Sequence, residues 1–408
     1  MIAKIHIQNF KSILDYTLEL GRINVFIGEN GAGKTNILEA FATASAASDG
    51  DLELEDLYTR GVRIAKPSIT ISSFLQKKPA QAIALTLTAA APTSGKNEES
   101  PWLKLQLVPD AGNIDSGWRV NSSSGNTPLS ELEFKRLFVE KTRSILGSGK
   151  TALKLELIEE AINQISSDIL NKTRKNNHYI QKQLKSFCIY NLNPLALRGI
   201  QNTSRRIPLG INGENLDVFL EELTQAQRRE LVRYSKFIPW FDNLLIDAKD
   251  ELKFKGHKLG RSTSRLYFRD RFMKKGNNVF SAENANEGIL HILFYLALFL
   301  SDKTPPIFAI DNIETALNPQ LCRELMKSLA AMAKAHDKQV LITTHNPAIL
   351  DGLDLHDDDQ RLIVVHRNDQ GHTVGKRIKL KPQTEGESKY KLSELWMRGH
   401  LGGLPKAF

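Results

Sequence analysis

The sequence predicts an α/β protein built around a parallel sheet, and three observations carry that expectation. Ile23-Asn24-Val25-Phe26-Ile27 is an almost unbroken β-branched and aromatic run, and a glycine-rich stretch and an Ala- and Leu-rich stretch, Asn36 to Ala47, follow it. The runs 305–310 and 339–343 have the same character, and helically spaced residues 320–335 separate them. A further apolar run covers 362–365. Strands that are apolar throughout are those buried on both faces, and strand–helix–strand order makes neighbours parallel.

The elements follow in chain order. Ile5 and Ile7 alternate with Lys4, His6 and Gln8, and Tyr16, Leu18 and Leu20 alternate again after a turn, so two strands precede 23–27. Residues 67–109 hold strand-like runs at 68–74 and 82–88. The Gly-, Ser-, Asn- and Asp-rich residues 110–128 read as a loop. Between 129 and 185, apolar residues such as Leu129, Phe134, Leu137 and Leu153 recur among charges, which predicts a helical insertion. Short apolar runs return at 186–250. Residues 289–300 form a 12-residue apolar run, too short for a membrane span of about 20 and better suited to a core helix.

Composition narrows the class. The 408 residues are 41% hydrophobic and 25% charged, which is a globular profile with length for two or three lobes. Lys plus Arg number 55 against 46 acids, a formal charge of +9, which permits a polyanionic partner. Cys188 and Cys322 are far apart and lie in no CxxC, which excludes a disulfide framework or a cysteine zinc site and fits a reducing compartment. The amino terminus has no apolar signal core, so a cytoplasmic protein with no membrane partner is expected.

Gly28-Glu29-Asn30-Gly31-Ala32-Gly33-Lys34-Thr35 matches G-x-x-x-x-G-K-[ST] in full, between a strand and a helix as that motif requires. The glycines let successive backbone N–H groups converge on phosphate oxygens, and the helix start adds its positive end. Gly28, Asn30, Gly31, Ala32, Gly33, Lys34, Thr35 and Asn36 are therefore the expected phosphate-binding residues. Lys34 would reach the β- and γ-phosphates of ATP, and Thr35 would hold Mg²⁺. A second GKT at 149–151 follows a helical stretch and reads as a helix–helix turn. Asp311 ends the apolar run 307–310, so it is placed to share the Mg²⁺ at the carboxyl end of the sheet.

Asp311-Asn312-Ile313-Glu314-Thr315-Ala316-Leu317-Asn318-Pro319 resembles the Walker B and D-loop stretch of ATP-binding-cassette ATPases. Gln8 to Ser12, the glycine loop and Thr343-Thr344-His345-Asn346-Pro347 resemble the RecF and SMC branch, whose switch histidine His345 would match. Asn286-Glu287-Gly288 opens the apolar helix, 23 residues before Asp311, where that branch keeps its signature motif. Residues 211–216 resemble a lobe segment of the same ATPases. Within the branch, the sequence is similar to the small OLD-like ATPases of bacterial anti-phage systems, such as the Septu type.

The resemblance implies an ABC-type P-loop ATPase head with a mixed or parallel central sheet, an antiparallel β lobe and a helical insertion. Its parts would be 1–128, with Walker A and the β lobe; the insertion 129–185; a second lobe 186–278; 279–385, with signature, Walker B and switch histidine; and a tail, 386–408. It further implies a homodimer or higher homo-oligomer that sandwiches ATP, with Asn286, Glu287 and Gly288 acting across the interface. Only 63 residues follow His345, too few for a Toprim nuclease domain, so a nuclease would be a separate subunit. A RecF-like repair ATPase and an ATP-locked scaffold are the alternatives.

One departure bears on catalysis. Relatives carry Glu directly after the Walker B Asp, and this chain has Asn312, which cannot take a proton. Glu314 then substitutes as catalytic carboxylate or turnover is slow. Residues 253–275 hold nine Lys or Arg and one acid, interleaved with four aromatics. Lys253, Lys255, Lys258, Arg261, Arg265, Arg269 and Arg271 are the candidate DNA contacts. A solvated basic surface fits the same run. The tail around Trp396 and Met397 shows no helix or strand period, which suits a partner-docking peptide; a tail folded back on the core fits the same residues.

Overall fold

The computed structural model describes residues 1–48, 52–75, 77–78, 80–90, 100–112, 117–126, 179–200, 209–252, 262–380 and 391–402. Strands β1 (Ile2–Phe10) and β2 (Ile13–Glu19) pair antiparallel, and β3 (Ile23–Ile27) follows. Helix α1 (Lys34–Ser48) starts directly after the glycine loop and is buried along almost its whole length. Short helices α2 (Leu54–Thr59) and α3 (Pro67–Thr70) lead to β4 (Ile83–Ala89), β5 (Pro101–Pro109) and β6 (Trp118–Asn126). These strands complete an antiparallel sheet of order β2-β1-β4-β5-β6.

Two expectations fail in this lobe. Residues 68–74 do not form a strand: Pro67 sits at the first helical position, where its fixed φ suits a helix start, and only an isolated bridge, Phe10 to Ile71, remains. Residues 118–126 are not a loop. They pair with β5 from Pro109–Trp118 to Pro101–Asn126, and as an edge strand they tolerate Ser and Asn, which a central strand would not. The segment 129–185, where a helical insertion is expected, lies mostly outside the described residues, as does the second GKT; within it, residues 179–184 are helix.

The chain re-enters at β7 (Ile189–Tyr190) and builds a smaller lobe. Helices α4 (Pro194–Leu197), α5 (Leu216–Glu222) and α6 (Gln225–Tyr234) precede β8 (Phe241–Ile246), β9 (Leu266–Asp270) and β10 (Val279–Ser281). The β9–β10 hairpin runs across residue 278, so this lobe extends to Ser281. Helix α7 (Glu287–Leu300) is buried from Gly288 onward, and a helix apolar all round must sit inside a core. Then come β11 (Ile307–Ile310), α8 (Pro319–Ala335), β12 (Gln339–Thr343), α9 (Pro347–Leu350), β13 (Gln360–Arg367) and β14 (Thr373–Ile378).

The central sheet has the order β14-β13-β3-β12-β11-β7 and is parallel except for β14. Its strands feed two cores by alternation. Val25, Phe308, Ile310, Val340 and Ile342 pack with α7 and α8, whereas Phe26, Ala309 and Leu341 pack with α1 and the antiparallel sheet. The carboxyl ends of β3, β11 and β12 therefore converge at one rim. The tail is not a free peptide within its described part. Leu392–Met397 forms α10, and Trp396 and Leu392 join the core because their apolar area finds a seat beside α9. Ser393 also binds Asp351 through both N–H and hydroxyl, at 2.9 and 2.8 Å. Among the described residues no helix is long and apolar enough to cross a membrane.

Candidate nucleotide-binding site

The glycine loop is held open by what surrounds it. Gly28 has φ +145°, and a Cβ there would lie 2.0 Å from the Val365 carbonyl oxygen. Gly33 has φ +107°, and its Cβ would lie 2.2 Å from Thr373 Oγ1. Only glycine fits either position without moving backbone or a packed side chain. Thr373 donates to the Ala32 carbonyl at 2.8 Å and meets the Ser12 hydroxyl at 2.7 Å. Arg367 Nε donates to the Gly31 carbonyl at 2.9 Å. The β13–β14 hairpin thus shapes the loop from behind.

Lys34 folds back over this loop, and its Nζ donates to the Gly28 and Glu29 carbonyls at 2.8 and 2.9 Å. Burial lowers its ammonium pKa, against the opposing pull of Asp311 and Glu314. Thr35 Oγ1 donates to Asp311 Oδ2 at 3.4 Å, and Thr343 donates to the other oxygen of Asp311. This hydroxyl and carboxylate are oxygen donors only, which suits a hard cation such as Mg²⁺ that takes its other ligands from phosphates and water. Asn36 is differently employed: its side chain donates to Ser12 at 2.7 Å and accepts from Arg63 at 3.1 Å.

Beyond Asp311 the chain turns sharply. Asn312 has φ +56°, a region that Asn tolerates better than most residues, and its N–H donates to Thr343 Oγ1 at 2.9 Å. The turn brings Glu314 to His345, whose backbone N–H donates to Glu314 Oε1 at 2.8 Å. The other oxygen of Glu314 is buried with no hydrogen-bond partner. An unpaired carboxylate oxygen keeps capacity to accept a hydrogen bond. Burial and the Lys34 charge push His345 below the usual imidazole range, against the opposing pull of Glu314 and Asp311.

Asn286 caps α7, accepting from the Gly288 N–H at 2.7 Å. Gly288 lies against the turn after Asp311, and a Cβ there would stand 3.0 Å from the Ala316 carbonyl oxygen. Glu287 faces Arg198 at 3.4 Å. Residues Asn286–Gly288 and the turn Ala316–Leu317 of one chain therefore lie against each other. The basic residues are not gathered here. Arg265 sits just before β9, Arg269 on it and Arg271 just after it in the smaller lobe, and Lys253, Lys255, Lys258 and Arg261 lie outside the described residues.

Sequence reasoning missed a buried ion cluster behind the loop. Glu39 in α1 has no exposed surface and binds Arg63 at 2.7 Å and Lys11. Burial would raise its carboxyl, but Arg63 and Lys11 outweigh that and hold it below the usual range. A lone acid in an Ala- and Leu-rich helix was the available signal.

Residues 1–88 match the family model described as "AAA ATPase domain". Residues 155–351 match the one described as "AAA domain, putative AbiEii toxin, Type IV TA system". An uncharacterized protein of Methanocaldococcus jannaschii is 49% identical over 51 residues, which cover 12% of this chain and 23% of that relative. A solved structure of an Smc head bound to the C-terminal winged-helix domain of ScpA superposes with a TM-score of 0.56 at 14% identity. That superposition covers 93% of this chain and 98% of the other. AAA-type ATPase models thus match two stretches of the chain, 1–88 and 155–351, and its α/β fold is similar to that of an Smc head.

Proposed function

We propose that the protein binds ATP at residues 28–35, pairs with a second copy of itself around the nucleotide, and turns ATP over slowly. The observation that carries this reading is the meeting of Lys34, Thr35, Asp311, Glu314 and His345 at one rim of the central sheet. Lys34 exchanges the two carbonyls it now holds for phosphate oxygens. Mg²⁺, when bound by Thr35 and Asp311, supplies positive charge at the phosphates. Glu314 takes the proton of the attacking water through its bare oxygen, because Asn312 cannot. His345 contacts the terminal phosphate.

Asn286, Glu287 and Gly288 complete the site of the second copy. ATP binding would then set the shape of the assembly, and the assembly would gate a separate nuclease acting on DNA. This part of the reading rests on the likeness to OLD-like and Septu-type defence ATPases. A second reading, a scaffold locked by unhydrolysed ATP, is favoured by Asn312 alone, and steady-state phosphate release separates the two.

Gly288→Arg tests the pairing. An arginine here cannot fit between the helix start and the Ala316–Leu317 turn and must displace the face that the proposal offers to the second copy, so ATP-dependent doubling of mass in light scattering is expected to vanish. The Cβ also presses on the Ala316 carbonyl, so Gly288→Ala serves as control and is expected to melt close to wild type while still dimerising. Identical masses for Gly288→Arg and wild type with ATP would refute contacts made across the interface.

A further inference from the structure

Among the described residues of the smaller lobe, the tip of the β9–β10 hairpin carries the most exposed apolar pair. Phe272 is 75% exposed and Met273 is 54% exposed. Along residues 269–275, Arg269, Arg271, Lys274 and Lys275 outnumber Asp270, a charge of +3 from four cations and one anion, and Asp242 lies at the bulge of β8 opposite Arg269 and Asp270. An aromatic and a thioether exposed side by side among cations offer a surface that matches a ligand with both negative charge and flat apolar faces.

The tip is held, not loose. Asp270 N–H donates to the Asn278 carbonyl at 2.8 Å, closing the base of the loop. Asp270 Oδ1 accepts from the Phe272 N–H at 2.8 Å, which uses the acid internally and aims the next residues outward. Arg271 N–H donates to the Trp240 carbonyl at 3.0 Å, and its guanidinium donates to the Phe241 carbonyl. Asn277 N–H donates to the Lys274 carbonyl at 3.0 Å, forming the turn. The root is fixed by aromatic contacts, with Trp240 and Phe280 rings 5.5 Å apart and Phe268 and Phe280 rings 6.1 Å apart.

We propose that this tip is a nucleic-acid contact in which Phe272 and Met273 stack on or wedge against unpaired bases while Lys274, Lys275 and Arg269 follow the phosphates. It rests on the DNA reading above and names the element that makes the contact. Base stacking on an aromatic is independent of sequence, and lysines track a backbone as point charges. An anionic membrane would also attract the cations. One ring and one thioether, however, bury far less apolar area than stable membrane association needs.

The test uses the full chain and a fluorescein-labelled 30-mer of oligothymidine, followed by anisotropy from 50 to 300 mM salt. The Phe272→Ala, Met273→Ala double variant is expected to bind about ten-fold more weakly with an unchanged salt slope. Lys274→Gln with Lys275→Gln is expected to flatten the slope of log affinity against log salt by about 1.4. In Phe272→Trp, emission of the added indole is expected to be quenched by the oligomer. All three are surface changes and are expected to melt within a degree or two of wild type. Wild-type binding that the Phe272 and Met273 changes leave intact would overturn the hairpin assignment and leave the DNA reading standing. Wild type that binds no oligomer would overturn both. Sedimentation with phosphatidylserine vesicles and no oligomer binding would assign the tip to lipid instead.

Discussion

Lys34→Ala is expected to weaken ATP binding by about 100-fold or more and to abolish turnover. Charge-assisted hydrogen bonds contribute about 1.5–3 kcal/mol each, and Lys34 has two acceptor contacts to exchange for phosphate oxygens. The loop is otherwise shaped by groups that do not depend on Lys34: Thr373 on Ala32, Arg367 on Gly31, and the glycines packed on Val365 and Thr373. The variant is therefore expected to stay folded, with a stability loss of about 1 kcal/mol from the two carbonyls left without their donor. Calorimetric titration with ATP and Mg²⁺, beside a thermal melt, checks both halves. Wild-type affinity in a folded variant would show that nucleotide does not bind at this loop.

What was legible in the sequence is what local chemistry dictates. Ile23–Ile27, Ile307–Ile310 and Gln339–Thr343 are buried on both faces, so their apolar runs announced them and placed Asp311 at the rim. Gly28 and Gly33 were legible as a motif, and the structure adds why no other residue fits. The edge strand at 118–126 was not legible, because its stability comes from pairing with β5 and not from its own Ser-, Asn- and Gly-rich residues. Nor was the support behind the loop. Thr373 and Ala32 are 341 residues apart, and Glu39 meets Lys11 and Arg63 only after α1 packs on the antiparallel sheet. The tail failed for a related reason: six residues are too few to show a period, yet Trp396 supplies enough apolar surface to hold α10 against the core.

Glu314→Gln is expected to cut phosphate release by about 100- to 10,000-fold while leaving ATP affinity and the ATP-bound dimer in place. That is the range a positioned general base contributes. The choice of Glu314 over the neighbouring position follows from the turn. Asn312 has positive φ and spends its N–H on Thr343, whereas Glu314 is oriented by the His345 N–H and keeps one buried oxygen without a partner. Gln keeps the carbonyl that accepts from His345, so the variant removes basicity with little change of shape. Asn312→Glu is expected to change turnover by no more than a few-fold. It should lower stability by about 1 kcal/mol, since Glu is strained at φ +56° where Asn is not. Steady-state phosphate release and thermal melting of the two variants and wild type decide between the positions. A large gain of rate in Asn312→Glu would move the base to 312 and make the natural chain one that holds its ATP by design. Rapid wild-type turnover that survives Glu314→Gln would remove Glu314 from the chemistry and leave its carboxylate as the brace that fixes His345 over the site.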